Sequence, residues 1–384
     1  MQTETEKMIR VNTTHLLFND SLPSSQVRLT VIVPVRNEAH QLVDTLEALR
    51  KQQDVSKRPI SAALYDVLLL ANNCTDASFD VATRYQQQYP DFQLHIAQIQ
   101  LPPDKANIGT VRRILMDEAC RRLTSVGQSD GIIASTDGDT VVDSRWVYNI
   151  MLEMAKGNDA VGGRILTRPD QSNVRLFHLR DVMYRTLVAK AEAQFDPCLH
   201  DPWPRHFQHF GASIAVTCRM YQRVGGLPET PYLEDEAFYR ALLRVDAKIR
   251  KSPHVKVYTS TRLQGRVAVG FSEQLRYWST MSQANQCQLA EPAKAVIARF
   301  NYRQQLRLCW QKRNQGVQTE VLNRIALDLR IDPDWLIEQF TKSHFFGEIW
   351  ELIDERMTSG QWMTQWKPVP ITVAIRDMRN FLVV

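Results

Sequence analysis

Along this chain, short apolar runs alternate with stretches whose apolar residues recur at helical spacing. The segment "LTVIVPVRNEAHQLVDTLEALRKQ" opens with a β-branched run, Leu29 to Val33, breaks at Pro34, and resumes with Leu42, Leu46 and Leu49. That pattern predicts strand, loop and helix. "YDVLLLANNCTDASFDVATRYQQQY" repeats the plan, with a buried strand from Asp66 to Leu70, a polar turn, and a helix starting near Asp76 to Ser78. A third unit has a strand "QLHIAQI", a loop "QLPPDKANIGT" and a helix around "VRRILMDEACRRL". "DGIIAST" supplies a fourth strand, which ends at the pair Asp137 and Asp139.

Strands alternating with helices imply right-handed crossovers and a mainly parallel sheet covered on both faces. In such α/β sheets ligands bind beyond the carboxyl ends of the strands. Pro34 to Glu38, Asn72 to Asp76 and Asp137 to Asp139 all collect at that edge, which reads as a nucleotide-type site. Further on, "AVGGRILTRP" is a strand, "VRLFHLRDVMYRTLVAKAEAQF" a helix, "DPCLHDPWPRHFQHFGASIAV" a loop leading into a strand, and "HVKVYTST" another strand. From about Ala290 the pattern turns helical, so the chain divides into an α/β domain over 1–289 and a helical C-terminal extension over 290–384.

A length of 384 residues suits one large α/β domain with an appended piece. No apolar run approaches the roughly 20 residues of a spanning helix, and "MQTETEKMIRVNTTHLLF" lacks a signal peptide's apolar stretch. The expectation is a cytoplasmic protein. The six cysteines, Cys74, Cys120, Cys198, Cys218, Cys287 and Cys309, are scattered without a CxxC pair, which argues against a disulfide framework or a structural zinc site. A net charge of +5 is mild and diffuse. It suits anionic ligands or a membrane surface and gives no support for nucleic acid.

Two carboxylates one residue apart repel each other unless they are solvated or share a cation. Mg²⁺ or Mn²⁺ prefers such oxygens and can be shared with a ligand's phosphates, so Asp137 and Asp139 are candidates to hold a metal diphosphate; the plain alternative is a turn with two solvated aspartates. In "YLEDEAFYRALL", Glu234, Asp235 and Glu236 open an amphipathic helix. Acidic residues there complement the helix dipole, or one of them acts as a general base on an attacking hydroxyl. Lys105 with Arg112 or Arg113, and Arg262 with Arg266 in "TSTRLQGRVAVGF", are candidates for phosphate contact, against a reading as surface arginines. His206 and His209 are weak metal candidates, because zinc lacks a fourth ligand. Trp203 and Phe207 beside them either form an apolar platform or simply pack the loop.

The order of these pieces carries more than any one of them. "VIVPVRNEAHQLVDTLEAL", "LLANNCTDAS", "KANIGTVRR", "STDGDT" and "GASIAVTCRMYQRVGGLPETPYLEDEAFYRAL" together resemble the family 2 type of glycosyltransferases with the GT-A fold, over roughly Leu29 to Phe271. The resemblance implies a Rossmann-like, mainly parallel sheet and a nucleotide-sugar donor. It makes Pro34, Arg36 and Glu38 the first nucleotide-binding loop, sets Asn72 opposite the base, and matches Asp76 to the later aspartate of that motif. Asp137 and Asp139 match the DxD that holds metal and donor, and Asp235, with Glu234 beside it, matches the catalytic base of inverting members.

There are departures. The usual "DDGS" is "ANNC" here, which leaves the choice of nucleotide open, and "EQLRYW" only loosely echoes the element of processive synthases. The expectation is therefore a single, metal-dependent, inverting transfer from a UDP- or GDP-sugar to a small molecule, glycan or lipid acceptor. Peripheral membrane contact and a homodimer stay open. Two rivals remain: a degenerate nucleotide-sugar-binding protein, and a nucleotidyltransferase, which the lack of a glycine-rich triphosphate loop disfavours.

Overall fold

The computed structural model describes residues 17–18, 23–167, 174–259 and 271–382. In chain order the elements begin with β1 (Leu29–Val35), α1 (Leu42–Arg50), β2 (Tyr65–Asn72), α2 (Ser78–Gln88), β3 (Leu94–Ile99), α3 (Ile108–Ser125), β4 (Ile132–Ser135) and β5 (Val141–Val142). Next come α4 (Trp146–Met154), β6 (Ala160–Thr167), α5 (Arg175–Phe195), β7 (Ile214–Thr217), α6 (Cys218–Arg223), α7 (Glu234–Arg244), β8 (Ile249–Thr259) and α8 (Phe271–Gln283). The chain ends with β9 (Leu289–Ala290), α9 (Ala293–Gln311), α10 (Thr319–Leu329), α11 (Pro333–Lys342), α12 (Phe346–Ser359), α13 (Gln361–Gln365), β10 (Val369–Pro370) and α14 (Ile371–Phe381).

The described residues fall into two compact units. The first is drawn from Met1–Pro169, Gln208–Tyr239 and Ile249–Gly270, the second from Asp170–Phe207, Arg240–Lys248 and Phe271–Val384. These units interleave along the chain. The reason is packing: α5 lies against α9 and α14, burying Ala191 with Val296, Phe300 and Met378.

The first unit holds an eight-stranded sheet among the described residues, in the order β3-β2-β1-β4-β7-β6-β8-β5. Strands β3, β2, β1 and β4 run parallel, while β7 is antiparallel to both β4 and β6. This is the mixed but mainly parallel α/β class expected. Leu29, Val31, Val33, Val67 and Leu69 pack on one face against Leu42, Leu46 and Leu49 of α1, Tyr85 of α2 and Trp146 and Ile150 of α4. The alternate positions meet α3, where Arg122 donates to Asp66 (3.3 Å) and Thr30 Oγ1 donates to the same carboxylate (2.6 Å). Burial on both faces is why these strands read as continuous apolar runs, and each fully buried Leu, Ile or Val contributes about 1.5–3 kcal/mol.

The chain lays down β1, β2 and β3 outward, then returns to place β4 on the other side of β1. The order reverses between β1 and β4, and the cleft of such a sheet opens at that point. Pro34 lies on this border. The apolar pattern breaks at Pro34, yet β1 runs on to Val35. Pairing with β4 stops at Ile32 opposite Ser135, and Thr136 N–H donates to Ile32 C=O (3.1 Å). Two residues on, and on the same side, β4 has turned away, so the missing N–H of Pro34 leaves no ladder bond unmade.

In the second unit, Leu306, Trp310, Leu322, Ile325, Leu336, Phe340, Ile349 and Ile353 form the main core. Local chemistry sets its helix ends. Asp332 accepts from Trp335 N–H (2.7 Å) ahead of Pro333, and Asp246 accepts from both Phe346 and Gly347 N–H (2.8 Å each) at the start of α12. An ion network ties the loop after α5 to α9. Arg307 and Arg303 bond Asp196, Arg303 and Arg205 bond Glu192 (2.6 Å each), and Arg205 bonds Asp201 (3.0 Å). Phe207 lies under the Arg185 guanidinium, 5.7 Å from its centroid, while Trp203 is half exposed. No helix among the described residues is long and apolar enough to cross a membrane.

Candidate active site

The site is assembled in the first unit, at the carboxyl edge of the sheet. After β4, Asp137 to Thr140 form a turn closed by Thr140 N–H donating to Asp137 C=O (3.1 Å). Thr45 of α1 donates its hydroxyl to Gly138 C=O (3.0 Å), which fixes the two aspartates beside the end of β1. The loops after β1 and β2 are sewn to each other. Asn37, in the left-handed region at φ 56°, accepts from Thr75 N–H (2.7 Å), and Glu38 N–H donates to Ser78 Oγ (2.7 Å). Asp76 accepts from Ala39 N–H (3.1 Å) and from Ser78 N–H (3.0 Å), so this predicted ligand-facing aspartate holds the loops in register. Asn73, also left-handed at φ 47°, exchanges two bonds with the backbone of Leu101 (2.8 and 3.0 Å). Short amide side chains tolerate this conformation better than other non-glycine residues.

Asn72 is buried at the end of β2, and its Oδ1 has no hydrogen-bond partner; the hydroxyls of Ser135 and Thr136 at the end of β4 are in the same state. Buried polar atoms left unpaired are costly, and they concentrate where a ligand is expected. Arg36 is exposed and donates to Ala106 C=O (2.9 Å), which brings the first loop alongside the exposed Lys105. Arg262 and Arg266 lie outside the described residues.

Arg112 links the two acidic motifs. Its guanidinium, 4% exposed, donates to Asp137 Oδ1 (2.7 Å) and to Glu234, which is itself buried. Two glycines make room for this contact. A Cβ on Gly211 would lie 2.5 Å from the Arg112 guanidinium carbon, and one on Gly109 would lie 2.3 Å from Thr230 C=O, just ahead of α7. Gly211 also donates its N–H to Asp235 Oδ2 (2.9 Å), and Glu236 N–H donates to Asp235 Oδ1 (2.8 Å). His209 completes this wall, with Nε2 on Glu236 (2.6 Å) and its ring stacked on Tyr239 at 3.8 Å.

Burial pushes the Asp137 carboxyl above its ordinary range; Arg112 pulls against that, and the nearby Asp139 and Asp235 carboxylates add to the rise. Asp137, Asp139, Glu234 and Asp235 therefore share one site in which the buried Arg112 guanidinium bonds Asp137 and Glu234, and such a cluster of carboxylate oxygens suits a hard cation. No group of three or more His, Cys, Asp or Glu side chains among the described residues forms a ready-made metal cage. The residues fit a Mg²⁺- or Mn²⁺-type ion that brings ligands from a bound diphosphate, since such ions keep few protein ligands. They do not fit a histidine-rich zinc site.

Of the predicted residues, Asp137, Asp139, Glu234, Asp235 and Arg112 come together, with Pro34, Arg36, Glu38, Asn72 and Lys105 on adjoining strand ends. Arg112 is committed to two carboxylates, whereas the pattern alone offered it as a phosphate contact. The structural roles of Gly211, His209 and Asn37 were not foreseen. Arg112 did leave a signal, since it shares the buried face of α3 with Val111, Leu115, Met116 and Ala119. A charge on an apolar stripe requires a buried partner.

No protein-family model matches the chain, and no curated protein matches it. Among solved structures it is similar to the mannosyltransferase PcManGT from Pyrobaculum calidifontis in complex with GDP-Man and Mn²⁺, at 16% identity over 95% of this chain and 88% of that one, with a TM-score of 0.44. It is similar to S. aureus TarS 1-349 in complex with UDP-GlcNAc at 15% identity, over 87% of this chain and 92% of that one, with a TM-score of 0.44. Glucosyl-3-phosphoglycerate synthase from Mycobacterium tuberculosis, in complex with Mn²⁺, UDP-Glc and phosphoglyceric acid, aligns at 13% identity over 69% of this chain and 84% of that one, with a TM-score of 0.38.

Proposed function

We propose that the chain is a glycosyltransferase that moves a sugar from a UDP- or GDP-sugar to an acceptor hydroxyl, in a single, inverting, metal-dependent transfer. The observation that carries this reading is the contact path from Asp137 through Arg112 to Glu234, which brings the Asp-Gly-Asp turn and the acidic start of α7 into one site. The donor's nucleoside lies across the ends of β1 and β2, where Asn72 offers an unpaired acceptor to a base N–H. Its diphosphate lies at the Asp137–Thr140 turn, with Lys105 as a cationic contact; the sequence offers Arg262 and Arg266, outside the described residues, for the same task.

Asp235 is the general base. Two backbone N–H groups orient its carboxylate, and each oxygen keeps a lone pair to take the acceptor's proton as the hydroxyl attacks the anomeric carbon. Arg112 positions both motifs without touching the reacting atoms. When bound, a Mg²⁺ or Mn²⁺ held by Asp139 and Asp137 supplies charge that stabilises the departing diphosphate. The six free cysteines suit a reducing, cytoplasmic setting.

One observation favours a second reading. Arg112 already occupies one oxygen each of Asp137 and Glu234, as expected of a protein that binds nucleotide sugars without transferring them. Phosphorus NMR of the protein with diamagnetic Mg²⁺ and each donor separates the two. Slow release of nucleoside diphosphate to water, lost in Asp139→Asn with the fold intact, supports the transferase. Near wild-type release by that variant would sink the assignment, binding without release from any donor would favour the binder, and diphosphate freed from a nucleoside triphosphate would favour a nucleotidyltransferase.

A further inference from the structure

The second unit contains a cavity of about 320 Å³ that plays no part in the site above. Its size lies at the small end of ligand pockets. Trp362 and Trp366 form much of its apolar wall, with ring centroids 5.8 Å apart and planes tilted by 49°. Met357, at the end of α12, adds to that wall. On the polar side, Arg299 bonds Glu291 (2.6 Å) and approaches Asp354 (3.7 Å). Pro368, just ahead of the pairing of β10 with β9, also lines the cavity, which is open on one side.

Two lining residues carry donors that the protein leaves unanswered, since Trp366 Nε1 and Arg299 Nε are buried with no hydrogen-bond partner. A donor without an acceptor is costly in the folded state, and buried indole N–H groups ordinarily find a partner. The charges narrow the choice of ligand. One guanidinium faces two carboxylates, so the pocket is not built for a phosphate or a carboxylate. The indoles and carboxylates alone would suit an ammonium group, but an ammonium has no lone pair for the two orphan N–H donors. A pyranose ring meets every requirement, with a C–H face to lie on an indole, hydroxyl oxygens to accept from Trp366 and Arg299, and hydroxyl protons to donate to Glu291 or Asp354.

We propose that this cavity is an accessory carbohydrate site that binds one sugar unit of a neutral glycan. It belongs to the helical unit alone and stands whether or not the first unit transfers sugar.

The test is saturation-transfer NMR on the full chain with maltotriose, cellotriose, mannotriose and chitotriose as probes. At least one should receive saturation on the protons of a single ring. Trp366→Phe keeps an aromatic ring and drops the N–H, and it should weaken binding about five- to tenfold, the worth of one hydrogen bond. Asp354→Asn, at a side chain 42% exposed, should act in the same direction and supports the test if Trp366→Phe fails to fold. UDP and GDP titrations should be unchanged in both variants. No saturation transfer to any of the four probes overturns the proposal, as does binding that neither variant weakens. Tetramethylammonium that binds in their place would assign the cavity to a cation instead.

Discussion

Arg112→Met is the perturbation that asks most of the description of the site. The change keeps an unbranched apolar stem and removes the guanidinium. Glu234, whose side chain is 5% exposed, is then left as a buried carboxylate with no counter-charge among the described residues. Breaking a buried pair from one side costs about 3–5 kcal/mol. Asp137, at 34% exposure, adds at most about 1 kcal/mol because solvent screens it. With a urea slope of about 3 kcal/mol per molar for a chain of this size, the midpoint should fall by about 1–2 M, followed by far-UV circular dichroism. The double variant Arg112→Met with Glu234→Met removes both charges, and replacing a buried pair by apolar groups is often neutral. It should recover most of the loss. A single variant within about 0.3 M of wild type, or a double variant that falls further than the single, would refute the claim that this pair joins the two motifs.

Three further outcomes follow from particular contacts. Gly211→Ala puts a Cβ 2.5 Å from the Arg112 guanidinium, so it should cost about 1–3 kcal/mol by overpacking; an unchanged melting temperature would contradict the close approach. Asp66→Asn removes the buried carboxylate that accepts from Thr30 Oγ1 and Arg122 at the opposite edge of the sheet, where Arg122 keeps its bond to Phe18 C=O (3.1 Å), and should cost about 1–3 kcal/mol while leaving nucleotide affinity of the folded protein unchanged, as calorimetry would show. The bond from Arg50 holds the Glu47 carboxyl at about 2, below its ordinary 4.5, with Lys51 and Tyr85 adding to the pull. A lowered carboxyl stabilises the fold above its unfolded value and loses that contribution as pH falls from about 5 toward 2. At 30% exposure the effect is about 1 kcal/mol or less, and Glu47→Gln should flatten that part of the acid-unfolding curve.

The parts of the fold that could be read from sequence are those with local causes. The β-branched run at Leu29 and the leucines of α1 announce strand and helix because periodicity follows directly from backbone geometry. Asp137 and Asp139 were legible because a carboxylate pair after a buried strand needs a reason. What stayed hidden depends on chain segments far apart. Pro34 reads as a strand end until the early departure of β4 is known. The membership of α5 in the helical unit rests on side chains of α9 and α14, which leave no mark on the sequence of α5 itself. Asp76 carries the right residue type for ligand contact, and only the placement of Ala39 and Ser78 shows that it fastens two loops.

The central claim is tested most directly by calorimetric titration of the purified protein with UDP, GDP and their common sugar conjugates, with and without Mn²⁺. The account predicts that one nucleotide and its sugar conjugate bind, that Mn²⁺ strengthens the binding, and that Asp139→Asn abolishes the metal-dependent part while the fold is kept. Absence of binding to every one of them by the folded wild-type protein, or binding that neither Mn²⁺ nor Asp139→Asn alters, would contradict it.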